Sequence, residues 1–301
     1  MWCRASSILI SFIVIALSGA FCLADCPSAD LTGDCFVDYE DFALMANQWL
    51  TEGIPDDPCN LVWVDINDPG VPGHEGFTGE MSKYETTNAQ YCQFLNAALA
   101  SGDITVGTDN IVYGSNGSNS GADFVGEIYF VTYAASSDSQ ITYSGGTFSV
   151  RSRDGYSMAN HPVVMVSWYG ATAFCNYYGY RLPTEWEWQA VADYNGSYTY
   201  GCGISIDPSK ANYGLNNPLA LTSYPYTSPV GYYPAYGYGM CDMAGNVWEW
   251  TSSCYNAGCD PGYRVLRGGG WDYIVIVCTV TFRFTYYPDL TGSIVGFRVC
   301  R

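Results

Sequence analysis

The chain has 301 residues, nearly half of them hydrophobic, with Trp, Tyr and Phe at 16%, so intrinsic disorder is excluded and a packed core is expected. Eleven Lys and Arg face 29 Asp and Glu, a net charge of -18. That balance argues against nucleic acid and against an anionic membrane surface, and it suits calcium or charge-based solubility.

Residues 1–24 carry the pattern of a signal peptide. Arg4 supplies the positive start, Ile8 to Leu17 is apolar apart from Ser11, and Ala20 and Ala24 are small residues before a cut ahead of Asp25. The run is short for a membrane span, and no second segment is long enough to anchor the chain. The reading is therefore a secreted, cell-surface or periplasmic protein with no transmembrane segment after cleavage. Eleven of the 13 cysteines lie beyond the leader, an odd number in a disulfide-permissive setting. Cys254 and Cys259 bracket a short loop and look like a local bridge.

Residues 25–50 read as a separate calcium unit. Asp30, Thr32, Asp34, Asp38 and Asp41 fall on alternating oxygen-ligand positions of an EF-hand loop, with Phe36 placed to offer its carbonyl. Phe42, Met45, Ala46 and Trp49 follow at helical spacing. The unit resembles half of a dockerin repeat, with Cys35 where the sharp turn normally has Gly and with no second loop. The resemblance implies a cohesin-like partner. Residues 51–60 (TEGIPDDPCN) read as a linker, and 61–301 as the large domain.

Within that domain, TTNAQYCQFLNAALA places Tyr91, Phe94, Leu95 and Ala98 on one helical stripe. Residues 102–160, rich in Gly, Ser, Asn and Tyr, read as short strands and long loops. A second helix begins at a Ser167 cap, buries Ala171, Phe174, Cys175 and Tyr178, and ends at Gly179. A third begins at Thr184, with Glu187 at capping-box spacing. The run IVIVCTVTFRF has the composition of a buried strand.

Five segments, taken in order, resemble the formylglycine-generating enzyme (sulfatase-modifying factor) family: GEMSKYETTNAQYCQFLN, HPVVMVSWYGATAFCNYYGYRLPTEWEWQAVA, GMCDMAGNVWEWTSS, RVLRGGGWD and GFRVCR. The resemblance implies an irregular α+β fold related to C-type lectins, with little regular structure. It implies a calcium site in CDMAGNVWEW, with carboxylates from Asp242 and Glu249 and carbonyls from Gly245 and Val247. A second family site would use Asn212 and the carbonyls of Tyr213 and Tyr224, but its aspartate is here Thr222.

The family's oxidases convert a substrate cysteine to formylglycine with copper(I) held by two cysteines five residues apart. Soft thiolates suit that ion. The second of the pair falls on Cys278, the first on Tyr273, and the family's serine after two glycines is Gly270. The resemblance therefore leaves Cys278 as the one catalytic candidate and copper as a cofactor only for an oxidase. Residues 272–295 lack Lys, Glu, Gln, Met and Trp but hold Asp, Tyr, Ile, Val, Thr, Phe, Leu and Ser. This resembles the variable regions of lectin-fold relatives diversified by retroelements. The expected function is binding of a peptide, protein or glycan through Trp271, Asp272, Tyr273, Phe282, Arg283, Tyr286 and Tyr287. The rivals are a formylglycine-generating oxidase for exported sulfatases and a structural surface protein tethered through the dockerin-like unit.

Overall fold

Three capped helices set the frame in the computed structural model, which describes residues 59–71, 75–119, 124–256 and 262–301. The leader, the dockerin-like loop from Asp30 to Asp41 and Cys259 lie outside the described residues. Helix α1 (Asn88–Ser101) starts in a full capping box: the Thr87 hydroxyl accepts from Gln90 N–H, and the Gln90 side chain accepts from Thr87 N–H. Two amides that the helix cannot satisfy are thereby paired. The predicted stripe of Tyr91, Phe94, Leu95 and Ala98 is buried. Helix α2 (Trp168–Tyr178) is capped by Ser167 and ends at left-handed Gly179, and α3 (Glu185–Asp193) has the Thr184–Glu187 capping box.

The strands are short and fall into small sheets. β1 (Trp63–Asp68) pairs antiparallel with β2 (Phe77–Ser82), in register from Trp63↔Ser82 to Asp68↔Phe77. β3 (Ile104–Val106), β4 (Ile111–Gly114) and β5 (Ile128–Val131) form an antiparallel sheet. Two hairpins follow, β6 (Ile141–Ser144) with β7 (Thr147–Val150), and β8 (Ser152–Arg153) with β9 (Tyr156–Ser157). Residues 194–247 contain neither helix nor strand. The last sheet has four strands in the order β12 (Phe284–Tyr286), β11 (Arg264–Arg267), β10 (Trp248–Cys254), β13 (Val295–Gly296).

Aromatic packing holds these pieces together. Tyr91, Phe94, Phe130, Phe174 and Phe297 are all fully buried, with Tyr91 centred 5.3 Å from Phe94, 5.4 Å from Phe130 and 6.0 Å from Phe297. Rings from α1, β5, α2 and the C-terminal segment thus meet in one cluster, and their large buried areas stand in for extended sheet. Among the described residues, no helix is long and apolar enough to cross a membrane.

One expectation is corrected here. The IVIVC run is not a buried strand: Val275–Cys278 is a 3-10 turn, and Ile274 and Ile276 are 66% and 59% exposed. Only Val277 and Cys278 turn inward. Alternating exposure in a strand cannot be told from a tight turn by composition alone.

Candidate functional site

The segment between β11 and β12 is built on glycine. Gly268 and Gly269 have φ of 96° and 80°, in the left-handed region that glycine alone enters freely. A side chain at Gly269 would also meet Cys278 Sγ at 2.6 Å. Gly270 has no such backbone demand, and a Cβ there would lie 3.3 Å from Trp248 Cδ1. The hairpin-like return is fastened to the 212–216 loop: Tyr273 O accepts from Gly214 N–H and Trp271 O from Leu215 N–H, both at 2.7 Å.

The expected ligand residues fall into different environments. Trp271 is 3% exposed, donates Nε1–H to Ser293 O at 3.1 Å, and packs on Tyr224 and Tyr226. It supports the surface rather than forming it. Tyr273 and Phe282, joined by Phe284 and Tyr286, pack around the fully buried Trp248 ring, with Tyr273 5.5 Å and Phe284 5.2 Å from it. Arg283 is not free for a ligand: Nε and Nη2 donate to both oxygens of buried Glu185 at 2.5 and 2.7 Å. Its guanidinium also lies over the Tyr255 ring. Tyr287 is half exposed, its ring tilted against Tyr263 at 4.2 Å, with Tyr263 Oη–H donating to Tyr287 Oη at 2.8 Å. Asp272 is half-buried, and burial raises its pKa. The exposed apolar tip Ile274–Ile276 completes the surface.

Around CDMAGNVWEW the structure gathers four charged groups. Glu249 and Arg298 are fully buried and joined by two bonds of 2.7 Å, and Trp188 Nε1–H also donates to Glu249 Oε2 at 2.7 Å. Asp242 Oδ2 accepts from Gly231 N–H at 2.7 Å. Glu85, which sequence reading missed, accepts from Val247 N–H at 3.1 Å and from Asn246 Nδ2–H at 2.6 Å. Burial, and then repulsion from Asp242 and Glu249, pushes the Glu85 pKa well up. Burial pushes Asp242 up as well. Three carboxylates lie against one guanidinium, but burial pushes Glu85 and Asp242 toward the protonated form, and among the described residues no three acidic, Cys or His side chains converge as a metal cluster, so an ion here would have to draw on backbone carbonyls. Glu249 itself fits poorly as a ligand, because its oxygens are already taken.

Gly245 pairs with Asn212, and Asn246 N–H donates to Asn212 O at 2.7 Å. The two calcium motifs of the resemblance are therefore adjacent. Asn212 Oδ1 is buried without a partner. Tyr213 O accepts from Asn216 N–H, Thr222 bonds Asp154, and Tyr224 O accepts from Arg153. Cys278 is fully buried and its thiol is pushed up to about 12, chiefly by burial. Cys202 lies near enough to raise it further. Glu85 and Glu185 stand inside two of the family-resembling segments, but nothing in the sequence gave their roles, and Cys202 had no signal at all: each acts through a partner more than 70 residues away.

Residues 75–301 match the family model for the sulfatase-modifying factor enzyme 1-like domain. The chain is 37% identical over 181 residues to the serine/threonine-protein kinase pkn1 of Chlamydia caviae, covering 54% of this chain and 27% of that protein. It is 37% identical to the inactive C-alpha-formylglycine-generating enzyme 2 of Bos taurus, covering 46% of this chain and 49% of that one. With the formylglycine-generating enzyme of Mycobacterium tuberculosis it shares 40% identity over 34% of this chain and 37% of that one. The chain thus spans about a quarter to a half of the length of these relatives. The solved structure of CarF shares the fold at a TM-score of 0.53 and 21% identity, covering 81% of this chain and 98% of CarF. The α+β architecture is that of the formylglycine-generating-enzyme and C-type-lectin-like folds, and the chain belongs to the sulfatase-modifying factor family.

Proposed function

We propose that this is an exported, calcium-supported member of the family that binds a peptide, protein or glycan and does not oxidise a substrate cysteine. The observation that carries the reading is the pair of positions 273 and 278. A phenol stands at the first, its ring packed on Trp248, and the thiol at the second is buried and held protonated well above neutral pH. Copper(I) is bound by thiolates, which this arrangement supplies poorly. In its place the segment offers exposed Ile274, Ile276 and Tyr287 beside the half-buried Tyr273 and Tyr286. Rigid rings and apolar tips give contact area at low entropy cost. Calcium in this reading sits with Asp242 and the carbonyls of Gly245 and Val247, and its charge would let the neighbouring Asp242 and Glu85 ionise. The dockerin-like loop would take a second ion and a cohesin-like partner.

Copper(I) titration of the full chain, with an assay on a Cys-containing sulfatase peptide, tests the reading. Weak binding and no turnover are expected; turnover overturns it. The second reading, a formylglycine-generating oxidase, needs a second sulfur for Cys278; Cys202, whose charge raises the Cys278 thiol, is the candidate.

A further inference from the structure

Four consecutive residues, Thr222 to Pro225, are gripped by two adjacent side chains of opposite charge. Arg153 ends β8 and is 7% exposed. Its Nη1 donates to Tyr224 O at 3.0 Å, and its Nη2 donates to Ser223 O at 3.0 Å and Pro225 O at 2.6 Å. Asp154 follows in the left-handed region at φ 53°, which turns its carboxylate to the same loop. Asp154 accepts from Thr222 N–H at 2.9 Å and from Thr222 Oγ1–H at 2.8 Å.

These are the positions at which the family resemblance implies a calcium ion, and the donor set no longer fits one. A calcium ion takes six to eight oxygens. Tyr213 O is committed to Asn216 N–H, the Thr222 hydroxyl is donating, and Tyr224 O faces a guanidinium that would repel a second cation. Asn212 Oδ1 alone remains buried and unpartnered.

We propose that Arg153 is the permanent cation of this loop and takes the place of a metal ion. A planar guanidinium with several fixed donors can bridge three carbonyls at once, which a lysine ammonium does less well. Asp154 supplies the anion that position 222 lacks. The clamp also aims aromatic side chains. Tyr224 and Tyr226 lie 5.1 and 5.4 Å from the Trp271 ring, and Tyr224 is 51% exposed beside the C-terminal segment. The loop next to the proposed ligand surface is thus ordered whether or not calcium is present.

The test counts calcium ions by calorimetry on the full chain and follows hydrogen exchange of residues 222–226. Asp154→Asn is expected to leave the calcium count unchanged, whereas Arg153→Ala combined with Thr222→Asp gains one ion per chain. In Arg153→Gln at saturating calcium, exchange at 222–226 rises about tenfold or more while α1 stays protected. Arg153→Lys, a milder change, gives an intermediate rise and serves if the glutamine variant does not fold. Loss of one calcium ion in Asp154→Asn overturns the proposal. So does an unchanged count in the double variant, and so does opening of 222–226 in the wild type on chelation with α1 still protected.

Discussion

Arg298 closes on Glu249 through two parallel bonds of 2.7 Å, in a place where neither side chain has any accessible surface. Arg298 also donates to the carbonyls of Ser82, Lys83 and Cys241, so it ties β2, the 241 loop and β10 to the C-terminal segment. Removing one partner leaves a buried charge uncompensated, which costs about 3–5 kcal/mol. Glu249→Ala and Arg298→Leu should each lower stability by that order, and the double variant by clearly less than their sum. Additive losses in a urea-melt cycle would show that the pair does not act as a unit. Glu249→Ala therefore cannot report on calcium.

Asp242 is the cleaner probe of the metal. It is buried beside Glu85 and Glu249 and its pKa is raised chiefly by burial, so its charge is unwelcome without a cation. Asp242→Asn keeps the shape and removes the charge. It should reduce the rise in Tm that calcium gives to the wild type while costing little in the presence of a chelator. A chelator response as large in the variant as in the wild type would remove Asp242 from the site.

His161 sets a pH dependence. It is fully buried, its Nδ1 is 3.0 Å from Thr227 Oγ1, and burial, then Arg153, lowers its pKa to about 4. The unfolded chain protonates the ring near 6.5, so between about pH 6.5 and 4 the unfolded state binds more protons. Stability is therefore complete above the upper value and falls as pH drops, by up to about 3 kcal/mol through this group. His161→Gln should be less stable at neutral pH but should show a shallower loss in urea melts between about pH 7 and 4.5. Equal slopes in the two proteins would mean that other groups carry the acid sensitivity.

What could be read from sequence was local. The Ser167 and Thr184 caps, the Gly179 stop and the α1 stripe are each encoded within eight residues and appear where expected. The Thr87–Gln90 box had the same spacing signal and was missed. The C-terminal segment expected to bind a ligand was legible as a unit, but the places of its side chains were not. Whether Arg283 meets a ligand or Glu185 depends on a partner 98 residues away. Likewise IVIVC has a strand's composition, yet it follows a glycine-bound return and forms a 3-10 turn that exposes Ile274 and Ile276. Glu85 was illegible because nothing near it in sequence marks a carboxylate destined to bond Asn246, 161 residues on.

The last prediction concerns copper and the position of Tyr273. A phenol has a pKa of about 10, and here burial, with the Asp272 charge, raises it further, so it is a poor ligand for a soft ion at neutral pH. The wild type should bind copper(I) weakly. Tyr273→Cys should tighten binding by orders of magnitude if residues 273 and 278 can both reach one ion. Turnover need not return, because Gly270 still replaces the family's serine; Gly270→Ser is compatible with the backbone, whereas Gly269→Ser would strike Cys278. Cys202 is the control that separates the two functional readings. Tight stoichiometric binding by the wild type, abolished in both Cys278→Ser and Cys202→Ser, would identify Cys202 as the second sulfur. Weak binding in all three, with a gain only in Tyr273→Cys, would leave the two thiols as core residues and the C-terminal segment as a binding surface.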